Sequence, residues 1–201
     1  MKILGSSVLR GETSEEREKN DFYATEPWGV ELFLSCHEMN QNLWEPACGQ
    51  GHISEVLLKH GKIVKSTDLI DRGYGNRLDF LIATEKWDGD IITNPPFRHA
   101  ESFIEKGLSL LQEGNQLMLF LKIQFLETKS RYDLFNKYPL KYVYVHSSRI
   151  GTAKDADFDK YHAKAMCYAW FVWEKGFAGD TILRWIPGNI KDKNQLSLFE
   201  I

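Results

Sequence analysis

The chain has only three cysteines, Cys36, Cys48 and Cys167, and they are odd in number and far apart. That excludes a disulfide framework, and without a Cys-x-x-Cys pair a structural zinc site is not expected either. A metal is therefore not predicted, whereas a reducing, cytoplasmic setting is. No apolar run approaches the ~20 residues of a membrane span, and Met1 to Ser7 is too short for a signal peptide. Excess charge is lacking as well, since a formal net charge of -3 excludes a uniformly basic nucleic-acid coat while leaving room for a basic face. There is no internal repeat, low-complexity tract or Ser/Gly linker to mark a second unit. With 201 residues, 43% of them apolar, the reading is one domain over 1–201 with a single core.

What charge there is falls unevenly. The first 45 residues carry four basic against nine acidic side chains, and residues 122–164 carry nine basic against five acidic. A polyanion would find the second stretch the better partner. Residues 1–21 read as a polar N-terminal arm and 190–201 as a polar tail.

Between them, helical and strand patterns alternate, which predicts strand-helix-strand units and a parallel sheet. Thr25 is placed to cap a helix over about 26–38, with Pro27 in its first turn and Val30, Phe33 and Leu34 at helical spacing. Leu43-Trp44-Glu45 reads as the first strand. Ile53, Val56 and Leu57 give a helix that Gly61 ends, and a second strand runs from Ile63 to about Asp68. A third unit passes through Asp79-Phe80-Leu81. Asp90 to Asn94 is a strong strand stopped by Pro95 and Pro96, followed by a helical stripe from Phe103 to Leu111 and a strand over Gln116–Leu121. Tyr142 to His146 and Met166 to Trp173 have no helical stripe between them and predict an antiparallel hairpin, with a last strand near Ile182 to Trp185.

Three constellations carry chemistry. Glu45-Pro46-Ala47-Cys48-Gly49-Gln50-Gly51 lies between a strand and a helix, where Gly49 and Gly51 let backbone amides approach a ligand beside a helix N-terminus. A Gly-x-Gly pair alone is as often a tight turn. Asp68, at the end of the next strand, can accept from both hydroxyls of a ribose, and Asp79 beside Phe80 offers an acceptor for an amino group next to a ring that can stack. Asn94-Pro95-Pro96-Phe97 is the most specific. Two prolines fix an extended turn, and a planar amine stacked on Phe97 could donate to the Asn94 side-chain oxygen and the Pro95 carbonyl.

These motifs, in this order, resemble the class I S-adenosylmethionine-dependent N6-adenine methyltransferases, in particular the small phage and prophage DNA enzymes. Asp21-Phe22-Tyr23-Ala24-Thr25-Glu26-Pro27 looks like their leading motif, with Glu26 departing from the usual small residue. Phe125-Leu126-Glu127 and Ala169-Trp170-Phe171-Val172-Trp173 are also similar to that group. The resemblance implies a Rossmann-like methyltransferase fold, α/β, with a mostly parallel seven-stranded sheet and an antiparallel C-terminal hairpin. It implies S-adenosylmethionine as cofactor, held by Tyr23, Thr25, Glu45, Pro46, Ala47, Cys48, Gly49, Gly51, Asp68, Asp79, Phe80 and Asn94. Asn94, Pro95, Pro96 and Phe97 would be catalytic, and adenine N6 in DNA the acceptor.

The same amine-orienting tetrapeptide would serve an RNA adenine or a protein glutamine methyltransferase, and a binding module that has lost turnover is a further alternative. A dinucleotide oxidoreductase would have no task for Asn94 to Phe97. DNA contacts are expected from Arg98, His99, Arg149, Lys154, Phe158, Lys160 and Tyr161, where cations and rings alternate, although a solvated loop neutralised by its own aspartates explains the last five equally well. His52 and His60 read as ordinary helix residues. Gln195-Leu196-Ser197-Leu198-Phe199 matches a short peptide used to engage the bacterial sliding clamp, making the clamp a candidate partner; a tail folded on its own domain is the even alternative.

Overall fold

A computed structural model describes residues 23–148, 150, 152–154 and 167–188. The arm at 1–21 and the tail that carries Gln195 to Phe199 lie outside the described residues, as do Arg149, Phe158, Lys160 and Tyr161.

The central strands over Gln116–Lys122 and Tyr168–Glu174 follow from apolar runs that are buried on both faces. In chain order the strands are β1 (Tyr23–Thr25), β2 (Asn42–Glu45), β3 (Ile63–Asp68), β4 (Asn76–Arg77), β5 (Asp90–Thr93), β6 (Gln116–Lys122), β7 (Tyr142–His146), β8 (Thr152–Lys154), β9 (Tyr168–Glu174) and β10 (Ile182–Ile186). The helices are α1 (Pro27–Cys36), α2 (His52–Lys59), α3 (Ala100–Leu110) and α4 (Lys129–Lys137). The main sheet has the order β10-β7-β9-β6-β5-β2-β3-β4, and β1 pairs with β8 in a separate two-stranded sheet. Every neighbour in the main sheet is parallel except β9, which runs antiparallel between β6 and β7. The expected fold class, α/β with a mostly parallel sheet and an antiparallel hairpin, is found. Eight strands stand where seven were expected, and the expected last strand is β10, which pairs parallel to β7 at the outer edge.

Alternation along β6 and β9 divides the interior in two. Leu117, Leu119, Leu121, Phe171 and Trp173 face one core with Phe103 and Ile104 of α3. Met118, Phe120, Trp170 and Val172 face the other, with Val30 and Phe33 of α1 and Val56 and Leu57 of α2. Large rings dominate this second core, where Phe33 stacks on Trp170 at 4.6 Å and Phe120 on Tyr168 at 5.2 Å. Helix α3 lies close to the sheet because Gly107 has no side chain; a Cβ there would meet Leu117 at 2.9 Å.

Four local readings are corrected. Thr25 is in β1 and caps nothing; Glu26 occupies the position before α1 without a side-chain cap, and Pro27 opens the helix. The third unit is not a strand at Asp79 to Leu81. The paired segment is Asn76–Arg77, and Asp79 caps the short 3-10 turn Phe80–Ile82 by accepting from the Leu81 amide at 2.9 Å. The Met166 to Trp173 strand is β9, which begins at Tyr168 and continues to Glu174. Helix α4 was not anticipated, because it buries only Leu134 and so lacks an apolar stripe.

Candidate functional site

Parallel strands expose their carboxyl ends together, and the loops beyond them form a crevice where the strand order reverses. Here that place lies beyond β2 and β5, and a cavity of about 290 Å³ occupies it. Its walls combine the ends of β2, β3 and β5 with β1 above them.

The floor of the cavity begins with the turn after β2. Glu45 is buried, and its carboxylate accepts from the Ser54 amide at 2.9 Å and from the Ser54 hydroxyl, pinning the first turn of α2 to β2. Burial pushes its pKa up to about 8, against the pull of the two Ser54 hydrogen bonds. Glu45 is thus a strut under the loop as well as part of its lining. Pro46, Ala47 and Cys48 line the cavity above it. The Cys48 thiol is also buried and pushed up to about 12, so it remains a neutral packing group rather than a nucleophile or metal thiolate. Gly51 has φ 87 and lies against the ring of Tyr74, where a Cβ would come within 2.5 Å. Gly49 and Gly51 shape the turn rather than line the cavity, and the Gly49 amide donates to Asp68 Oδ2 at 2.8 Å.

Asp68 ends β3 and accepts a second bond at Oδ1, from the Ile70 amide at 2.9 Å. Each carboxylate oxygen spends one lone pair on the backbone, which orients the group and leaves acceptor capacity on both oxygens. Asp79 lines the same wall with its 3-10 turn, and Phe80 lies beneath it. That ring is only 2% exposed and packs edge-on to Trp44 at 5.2 Å, so Phe80 belongs as much to the core as to the site.

Asn94 follows β5 directly. Its Nδ2 donates to the Tyr23 carbonyl at 2.7 Å and to the Thr25 hydroxyl at 3.1 Å. A carbonyl can only accept, so this contact decides which end of the amide is nitrogen and leaves Oδ1 as an acceptor. Pro95 and Pro96 bring no N–H to compete for that acceptor, and the Pro96 carbonyl starts the turn Phe97–His99 by accepting from the His99 amide at 2.8 Å. Phe97 is half-buried and lies 5.9 Å from the ring of Tyr23 and 5.9 Å from that of Tyr168. Arg98 and His99 also reach the cavity wall.

Apart from Gly49 and Gly51, the residues expected from Tyr23 to Phe97 therefore converge on one crevice. The expected loop from Arg149 to Tyr161 is described only in part. Lys154 takes its backbone into β8, opposite Tyr23, so this segment is tied to the strand that holds Asn94. Sequence reasoning missed several wall residues. His52 opens α2 beside Gly51 and lines the cavity, with its pKa lowered by burial. Leu69, Ile70 and Arg72 follow Asp68, and position directly after a strand-end acid was the available signal. Among the described residues, no group of three His, Cys, Asp or Glu side chains could hold a metal, and no helix is long and apolar enough to cross a membrane.

No family model matches this sequence, and no curated protein matches it. Solved structures do share its fold. A Listeria monocytogenes protein described as a class I S-adenosylmethionine-dependent methyltransferase superposes with a TM-score of 0.56 at 14% identity, over 85% of this chain and 66% of its own. An Agrobacterium tumefaciens protein described as an O-methyltransferase gives 0.56 at 12% identity, over 84% and 95%. The M protein of the type I restriction enzyme EcoKI gives 0.53 at 12% identity, over 80% of this chain and 47% of its own. The chain spans slightly under two thirds of the first of these and about half of the last. At such identities the likeness is one of fold.

Proposed function

We propose that this protein transfers a methyl group from S-adenosylmethionine to N6 of adenine in DNA. The observation that carries the reading is the Asn94 amide, whose donors are held by the Tyr23 carbonyl and Thr25 hydroxyl beside a proline pair and Phe97. This arrangement ties β1 to the end of β5 and at the same time holds an acceptor ready for a planar N–H group.

The residues present fit the cofactor. Asp68 retains acceptor capacity for two ribose hydroxyls, Asp79 for an amino group, and the turn over Pro46 to Cys48 offers backbone beside the start of α2. When bound there, S-adenosylmethionine supplies an electrophilic methyl group on a sulfonium. The protein's own part is positional. Asn94 Oδ1 and the Pro95 carbonyl accept the two N6 hydrogens, which draws electron density onto the nitrogen and aligns its lone pair. Phe97 replaces the stacking an adenine loses when it leaves a duplex, a cost of a few kcal/mol. No strong base is needed, because a methylated aminium nitrogen gives its proton to water.

Support for DNA comes from the resemblance of the late strands to DNA adenine enzymes, and from a fold shared with a restriction-enzyme M protein. The decisive experiment offers labelled S-adenosylmethionine to unmethylated duplex DNA, single-stranded DNA, RNA and protein fractions, then identifies the product by nucleoside mass spectrometry. N6-methyldeoxyadenosine is expected. Label in RNA or on glutamine would replace the substrate, and cofactor binding with no transfer to any fraction would leave a binding module.

A further inference from the structure

Lys122 ends β6, at the same edge of the sheet as Asn94 and next to the strand that leads into it. Its ammonium lies 4.6 Å from the centroid of the Phe97 ring. Across the strand pair its partner is Tyr168, whose own ring flanks Phe97. Among the described residues no carboxylate forms an ion pair with Lys122, although the side chain is half-buried. A π face holds an ammonium in place without supplying a counter-charge, so among the described residues its unit charge is uncompensated.

That charge conflicts with the reaction unless something neutralises it. Attack by an amine places positive charge on the nitrogen, and a bare cation beside Phe97 opposes that charge in a partly dry crevice. A counter-anion arriving with the substrate removes the conflict. A nucleotide turned out of its strand brings its flanking phosphates to the mouth of the pocket, whereas a glutamine side chain brings no anion. We infer that Lys122 binds a backbone phosphate next to the adenosine that stacks on Phe97, which makes the acceptor of this site a polynucleotide rather than a protein amide. The inference rests on the reading of Asn94 to Phe97 as the amine site.

The test compares wild type, Lys122→Met and Lys122→Arg for binding to a labelled duplex with an unpaired adenine, by fluorescence anisotropy between about 50 and 200 mM salt. Lys122→Met should bind about tenfold more weakly, and its plot of log K against log salt should be shallower by about 0.9. Lys122→Arg should restore the slope. Calorimetric affinity for S-adenosylmethionine, unchanged in both variants, reports an intact fold. Identical slopes in wild type and Lys122→Met would overturn the inference, as would wild-type binding that ignores salt. A slope difference without methyl transfer would support the phosphate contact and count against the proposed reaction instead.

Discussion

At the amino edge of the sheet, His37, Gln116, Asp90 and Tyr144 bond to one another and to the backbone within packed structure; at the carboxyl edge, Asn94 and Asp68 bond to the backbone beside an open cavity. His37 stacks on Phe33 at 5.0 Å, lies 2.6 Å from Gln116 Oε1 through Nε2, and 3.0 Å from the Tyr144 hydroxyl through Nδ1. Asp90 accepts from the amides of Asn40 and Gln116, at 2.7 and 2.8 Å. That network ties α1 and β7 to the start of β6. The groups at the other edge are of the same chemical kinds, an amide, carboxylates and rings, but they surround a cavity. What separates scaffold from site is access rather than residue type: Asp90 and Asp68 each accept two backbone amides, but of the two it is Asp68 that lies on the cavity wall.

The strongest way to break this contrast is Asn94→Ala. Loss of the oriented acceptor should lower the transfer rate by about 10²- to 10³-fold while leaving S-adenosylmethionine affinity nearly intact, as stopped-time transfer assays and calorimetry would show. Equal loss in both measurements would put Asn94 in the scaffold. Asp68→Ala should do the reverse. Removing a carboxylate that orders the Gly49 and Ile70 amides and retains acceptors for two hydroxyls should weaken cofactor binding about 100-fold.

Glu45 at one edge and His37 at the other should respond to pH in opposite senses. Glu45 has its pKa raised from 4.5 to about 8 by burial, so between those values the folded state holds a proton that the unfolded chain has released. Its contribution is complete below about 4.5 and is lost as pH rises through 8. His37 is lowered from 6.5 to about 4, chiefly by burial, so its contribution is complete above 6.5 and is lost as pH falls through 4. Denaturation across pH 4 to 9 should show each loss as a few kcal/mol. Glu45→Gln should make the alkaline side alone shallower without flattening it, because burial also raises Asp90. In His37→Gln the acid side should be shallower without becoming flat, because burial also lowers His146, to about 3. The smallest expected effect belongs to Thr25→Val. Losing one of two donors' partners on Asn94 should cost roughly 1 kcal/mol, seen as a several-fold lower transfer rate at unchanged cofactor affinity.

Legibility in the sequence follows the same division. Strand β5 and the proline stop after it could be read because a doubly covered strand is a continuous apolar run and proline ends it unambiguously. Asp68 was found by its place at a strand end. Asp79 and Phe80 lie on the cavity wall in a 3-10 turn rather than the expected third unit, since a short polar strand at Asn76–Arg77 leaves no apolar signal. The pairing of β1 with β8 was hidden for a deeper reason. Tyr23, Ala24 and Thr25 are too few to show alternation, and their partner is distant in the chain, so local pattern made Thr25 a helix cap. The bond from Asn94 to that strand was invisible with it. In the sequence Lys122 is only the first charge of the basic stretch 122–164, and the approach of Phe97 is what singles it out.

The pairing of Tyr23 with Lys154 also sets an order of events during synthesis. Strand β1 is made early, but its partner emerges only after β2 through β7 have been translated. A contact that long in sequence closes late, because a large loop must be fixed before the pair forms. The Asn94 side chain is held by this strand, so a nascent chain that stops short of β8 has most of the cavity floor and no properly held amide. Assembly of the acceptor is thereby deferred until the fold around it is nearly complete.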